Sequence, residues 1–405
     1  MRLTMRERKK ATAVVAVRYQ KVGKKGKGII LDEFTKLTGY GRRYASYVLR
    51  SHGRKVRINK RYVIQGDIRK TERRKKPKIY DGAVEEALKK IWYVMDCICG
   101  KRLAPILREV VRRLERFREI RISDDVRQKL YRISAASIDR LLAKERRTHQ
   151  IKGRGNTKPG TLLKHQIPIR TFSDWNEHKP GFVEIDLVGH DGGDSHGDFA
   201  QTLDVTDICT TWTETEAVKN KAQIWVFDAL KDVRQRMPFP LLGIDSDSGG
   251  EFINAHLVSY CQEEKITFTR SRPYRKNDSC FVEQKNYSIV RRAVGYLRYD
   301  TEEELLTLNE LYRHLRLYTN FFQPTMKLIE KTRIGSKVIK RYDKPLPPYR
   351  RVLACPDVSA DNKQALRKLY TKLNPAHLKR QITRLQQKLY QLHAQKRSPL
   401  KKAAA

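Results

Sequence analysis

One segment constrains the fold more than the rest of the chain. Residues 182–296 carry three strand-like patterns, then a helix, a strand, a helix, a strand and a last helix. Phe182-Val183-Glu184-Ile185-Asp186-Leu187-Val188 alternates apolar and polar residues at period two, the signature of a half-buried strand. A turn-rich stretch (190–198) separates it from two more strand-like runs, 199–208 and 212–218. An amphipathic helix is then expected at 222–237, a buried strand at 241–245, a helix at 253–264, a strand at 266–270 and a helix at 280–296. The order implies an α/β core built on one sheet.

The charge pattern sets this core apart. The chain has 405 residues, enough for two to four domains, and a formal charge of +41 with a pI near 10.1, which reads as a polyanion partner, nucleic acid first. Residues 1–76 hold 25 Lys and Arg against 5 acids, whereas residues 172–300 hold 15 against 21. Carboxylates concentrated in one block of a basic protein point to cations bound beside phosphate. The early apolar run Ala13-Val14-Val15-Ala16-Val17 is short and flanked by basic residues, so no leader or membrane span is expected and the chain is read as cytoplasmic, associated with the nucleoid. Six cysteines with one CxC pair and no CxxC support neither a disulfide framework nor a zinc finger.

The flanks read as helical. Around Gly39-Tyr40-Gly41 a helix gives way to a second that opens with Arg42 and Arg43 and runs through Arg50, the shape of a helix-turn-helix whose second helix can lie in the major groove. This defines an N-terminal domain at 1–76. A second helical, helix-turn-helix-like domain is expected at 77–150, with Ser134 as the N-cap of a helix that exposes Arg140 and Lys144; helix packing alone explains its pattern equally well. Gly, Pro and basic residues make 151–171 a linker, 172–325 is the α/β core, and 326–405 is a basic C-terminal region with a short β or extended segment and a helical tail. In that region Leu378, Ile382, Leu385, Leu389 and Leu392 form a two-heptad seam that suits either a coiled coil or packing on the parent domain.

Three acids carry the expected chemistry: Asp186 in the first strand, Asp247 after the fourth, and Glu283 early in the last helix. In a sheet of this order the first and fourth strands are neighbours, so these carboxylates converge, and three ionised carboxylates share a site only around hard cations. Two such ions activate a nucleophile and stabilise the leaving oxygen of an in-line displacement. Asp245 is the rival to Asp247, while Glu184, Asp191 and Asp204 read as strand-face, turn or hydrogen-bonded residues. His190 to His196, rich in glycine, reads as a hairpin loop rather than a zinc site.

Ile244-Asp245-Ser246-Asp247-Ser248-Gly249-Gly250-Glu251-Phe252 resembles a signature of retroviral integrases and insertion-sequence transposases, and 35 residues separate Asp247 from Glu283, the spacing that names the Asp, Asp-35-Glu family. Pro273-Tyr274-Arg275-Lys276-Asn277-Asp278 and Val282-Glu283-Gln284-Lys285-Asn286 resemble the loop and helix around that family's glutamate. The resemblance covers 182–320, departs from the family at Ser248, and lacks the N-terminal zinc module of retroviral enzymes, so it is to bacterial insertion-sequence transposases. It implies a ribonuclease H-like fold, with Asp186, Asp247 and Glu283 holding two magnesium ions, manganese as a substitute. It further implies double-stranded DNA as partner, both transposon ends and target, with 3′-end cleavage, strand transfer and a homodimer or higher oligomer. Lys276, Lys285 and Arg292 are the expected phosphate contacts near the site. The alternatives are a nuclease that cuts without joining and a non-catalytic DNA-binding protein.

Overall fold

The computed structural model describes residues 3–57, 63–65, 79–147, 179–246, 252, 255–270 and 280–402. The expected linker at 151–171, Asp247, Lys276 and Gly249-Gly250 lie outside the described residues. The chain divides into two compact units, Met1–Lys78 and Ile79–Ala405.

In the first unit, helix α1 (Met5–Lys21) opens with a capping box in which Thr4 and Glu7 satisfy each other's backbone N–H groups. Helix α2 (Lys24–Thr38) ends at Gly39, whose φ of +67° is the left-handed conformation that glycine adopts without strain, and its N–H closes the helix on Thr35 O. Helix α3 (Arg42–Ser51) follows at once. Ala16, Tyr19, Ile30, Leu31, Phe34, Ala45 and Leu49 close one small core among the three helices. Arg43, Tyr44, Tyr47 and Arg50 are left exposed on α3, and Arg42 pairs with Asp32. A short antiparallel hairpin follows, β1 (Lys55–Arg57) with β2 (Val63–Gln65).

The second unit begins with a helical block: α4 (Gly82–Val94), α5 (Gly100–Leu103), α6 (Leu107–Arg116), α7 (Asp124–Arg132), α8 (Ala135–Leu141) and α9 (Ala143–Arg147). Ser134 caps α8 by accepting from Ser137 N, and the single helix expected there breaks at Leu142, which is buried beside Ile138. Arg140 and Lys144 are exposed.

Five strands form the central sheet: β3 (Phe182–Gly189), β4 (Gln201–Asp207), β5 (Thr213–Val218), β6 (Gly243–Ser246) and β7 (Thr267–Arg270), in the order β5-β4-β3-β6-β7. The first three are antiparallel neighbours joined by short connections, and β6 and β7 add on parallel to β3 after helical crossovers. Helices α10 (Gln223–Arg236) and α11 (Ala255–Glu263) cover one face, where Val183, Ile185, Leu203 and Val205 meet Val226, Leu230, Val233 and Leu257. Successive strand residues point to opposite faces, so Glu184, Asp186, Thr202 and Asp204 look the other way.

That second face is covered by α12 (Cys280–Lys285), a π-helical turn at Asn286–Arg291, α13 (Arg292–Val294) and α14 (Glu302–Phe322). The expected helix at 280–296 is thus one continuous helical path whose middle is underwound to π geometry, a local form found often at functional sites. Beyond it lie the hairpin β8 (Leu328–Ile334) and β9 (Lys337–Tyr342), then α15 (Pro348–Ala354), α16 (Ala360–Lys372) and α17 (Pro375–Lys402). Leu378, Ile382, Leu385 and Leu389 are buried, and α17 docks against α14 of its own chain.

One large core unites the helical block, the second face of the sheet and the C-terminal helices. At its centre Tyr349 and Tyr370 stack at 4.6 Å, and the Arg113 guanidinium lies 3.7 Å from the Tyr370 ring while donating to the carbonyls of Tyr370 and Leu373. The segment expected as a separate domain at 77–150 therefore shares its core with the sheet. Among the described residues no helix is long and apolar enough to cross a membrane.

Candidate active site

Strand β3 brings two acids to the face beneath α12. Glu184 is fully buried, and one of its oxygens accepts the backbone N–H groups of Phe281 and Val282 at 2.7 and 2.8 Å, capping the first turn of α12. Burial pushes its carboxyl well above the ordinary range; the bond from Val282 opposes this, and neighbouring Asp245 and Glu283 add to it.

Asp186, two residues further on, is half-buried. Its two oxygens are held separately: Oδ1 accepts the N–H of Leu187 at 2.8 Å, and Oδ2 accepts the side-chain amide of Asn286 at 2.5 Å. Asn286 lies one turn after Glu283, and residues three apart share a helix face. The helix face that touches Asp186 is therefore the one that carries Glu283, whose side chain is exposed.

The fourth strand of the sheet approaches from the other side. Ser246, the last residue of β6, pairs in register with Ile185, the residue before Asp186, and Asp247 is next in sequence. Asp245 sits opposite Glu184, buried, and accepts the Thr269 hydroxyl at 2.6 Å. Among the described residues no three His, Cys, Asp or Glu side chains gather closely enough to hold a metal ion, and Asp247 is not one of those residues.

Asp204 is an acid whose position only the strand register reveals. It lies directly opposite Asp186 in the β3–β4 ladder and is completely buried. Like charges facing each other across a ladder repel. Burial raises the Asp204 pKa to about 8, which Lys285 opposes and Asp186 reinforces. Lys285 is two residues from Glu283 and points to the opposite side of the helix, where burial lowers its pKa to about 8 against the pull of Asp204. Arg292 binds the Asp96 carboxylate at 2.7 Å and the Asp96 carbonyl at 3.1 Å. Of the two described helix residues expected to meet phosphate, one is thus turned toward the sheet and the other is paired with an acid.

The loop after β3 has no zinc-like arrangement among its described residues. His190 is buried in a relay from its Nε2 to the Thr202 hydroxyl and on to the Tyr312 hydroxyl, both at 2.7 Å, whereas His196 is exposed beside Asp194. Burial lowers the His190 pKa to about 3.

No protein-family model matches the chain. It is 40% identical over 350 residues, 86% of its own length and 96% of the relative's, to the uncharacterized protein y4rM of Sinorhizobium fredii (strain NBRC 101917 / NGR234). The chain belongs to the y4rM family. Two solved structures are similar at low identity. They are the catalytic core domain of BIV integrase (15% identity, 42% of this chain and 91% of that one, TM-score 0.29) and the HTLV-2 integrase catalytic core domain in complex with magnesium (14%, 36% and 90%, TM-score 0.27).

Proposed function

We propose that the chain is a DNA transposase whose core cleaves the 3′ ends of an element and joins them to target DNA. The observation that carries this reading is the double attachment of α12 to β3, by Glu184 at its first turn and by Asn286 at Asp186, which holds the Glu283 face of the helix against the Asp186 strand. Asp247, following the β6 residue that pairs with Ile185, supplies the third acid of the reading.

Asp186, Asp247 and Glu283 would hold two magnesium ions. Asp186 suits the task, since its oxygens are oriented by Leu187 and Asn286 while the side chain keeps solvent access, and metal-ligating carboxylates are themselves held by hydrogen bonds in this way. When bound, such a pair of ions lowers the pKa of a water or hydroxyl and stabilises the charge that builds on the leaving oxygen. The buried Glu184 fixes the helix from below. Arg43 and Arg50 on α3, with Arg140 and Lys144 in the helical block, are exposed cations suited to phosphate contact along bound ends. Joining two ends at once requires two active sites, hence a dimer or a larger assembly on DNA.

The test uses labelled element ends, a plasmid target and Glu283→Gln. The wild type should nick and join with magnesium, and the variant should bind ends while doing neither. Cutting without joining would make the chain a nuclease, binding with neither would make it a DNA-binding protein, and retained cleavage in the variant would refute the assignment of Glu283.

A further inference from the structure

A pocket of about 80 Å³ lies on the far side of the Glu283-bearing helix, enclosed by the end of α4, α5, the π-helical turn, α14 and α17. Four cations from different parts of the chain line it: Arg102 on α5, Lys285 on α12, Arg292 on α13 and Lys379 on α17. Among the described residues lining it, Asp96 is the one acid. That carboxylate already serves two of the cations, Arg292 and Lys379, each at 2.7 Å.

The other two cations have no such partner. Arg102 donates through Nε to the Pro324 carbonyl at 2.6 Å, and among the described residues neither it nor Lys285 is within ion-pairing distance of an acid. Asp204 attracts Lys285 from the sheet side, so even counting it the positive groups outnumber the negative ones by four to two. Burial lowers the pKa of Arg102, and the neighbouring Arg292 adds to that effect. Arg102, Lys285 and Lys379 are half-buried and Arg292 lies at the exposed edge; half-buried like charges brought together by tertiary packing are costly unless an anion sits among them.

We propose that this pocket is a phosphate-binding site that takes one tetrahedral phosphate group between Arg102, Lys285, Arg292 and Lys379. The size agrees: at roughly 10–15 Å³ per water-sized position, the space holds about five to eight such positions, which suits a five-atom oxyanion. A whole nucleotide is too large. The chemistry agrees as well, because guanidinium and ammonium groups form the strongest, charge-assisted bonds to phosphate oxygens, and the Ser288 hydroxyl on the wall adds a neutral donor. The phosphate is either free in solution or part of a DNA backbone entering behind the helix. The site contains none of Asp186, Asp247 and Glu283, so the inference stands whether or not the proposed reaction does.

The experiment is calorimetric titration of the full chain with inorganic phosphate at an ionic strength held constant with sodium chloride. Saturable one-site binding is expected, weakened at least tenfold by Lys285→Gln and by Lys379→Gln, which lie on different helices, and tightened by Asp96→Asn, which removes the competing carboxylate. Chloride-only melting curves confirm that each variant is folded. Repeating the titration with saturating duplex DNA separates the sources: phosphate excluded by DNA identifies a backbone phosphate as occupant, and phosphate still bound identifies a free one. Heat indistinguishable from that of chloride, or equal affinity in wild type and both lysine variants, overturns the proposal.

Discussion

The buried carboxylate of Glu184 accepts the backbone N–H groups of Phe281 and Val282 at 2.7 and 2.8 Å, so the strand that carries Asp186 also anchors the helix that carries Glu283. Glu184→Gln keeps a carbonyl oxygen in the same place and should preserve fold and cleavage. Glu184→Ala leaves two N–H groups without their acceptor and should cost about 2–4 kcal/mol of stability by the usual cost of orphaned buried donors. Urea midpoints and cleavage rates for the pair check this, and an alanine variant as stable and active as the glutamine one would refute the anchor.

Asn286 is the other attachment. Asn286→Ala removes the amide donor from Asp186 Oδ2, and loss of a residue that orients a metal ligand typically lowers metal affinity or activity by about 10–100-fold. Cleavage should fall by that order and recover in part at higher magnesium or manganese, with the melting temperature little changed. A purely structural role would show the reverse, a lower melting temperature with no response to metal.

Asp204 yields a pH prediction. Its folded pKa of about 8 lies above the ordinary value of 3.8, so the folded state favours the protonated form. Its contribution is fully present below the unfolded pKa and is lost as pH rises toward 8. Asp204→Asn removes that loss, so the urea midpoint of the variant relative to wild type should increase from pH 5 to pH 8. A constant difference would show that Asp204 is ionised throughout.

His190 behaves in the opposite sense. Its pKa falls from 6.5 to about 3 on burial, so folding favours the neutral ring; that stability is intact above pH 6.5 and drains away as pH falls toward 3. His190→Gln should flatten the acid limb of the stability curve between pH 6.5 and 4, as followed by circular dichroism. An unchanged acid limb would show that the relay to Thr202 and Tyr312 carries no pH dependence.

Much of the core was legible because it rests on local pattern. The alternation at 182–188 placed Asp186 in a strand, and the order of strands and helices made the first and fourth strands neighbours, as β3 and β6 are. What stayed hidden depends on register and long-range packing. That Asp204 faces Asp186 follows from the β3–β4 alignment, and that Glu184 caps a helix about a hundred residues away follows from where α12 lands. The helical pattern expected at 77–150 did not name what it packs against, which is the core shared with the sheet and the C-terminal helices. Helix phase alone separates Lys285 from Glu283, since two residues turn an α-helix by more than half a revolution.

Anomalous diffraction from crystals soaked in manganese would report directly which carboxylates hold the cations. Two manganese peaks ligated by the carboxylates of Asp186, Asp247 and Glu283 are expected, both lost in Asp186→Asn. Manganese ordered elsewhere, with the side chain at 283 taking no part, would contradict that assignment.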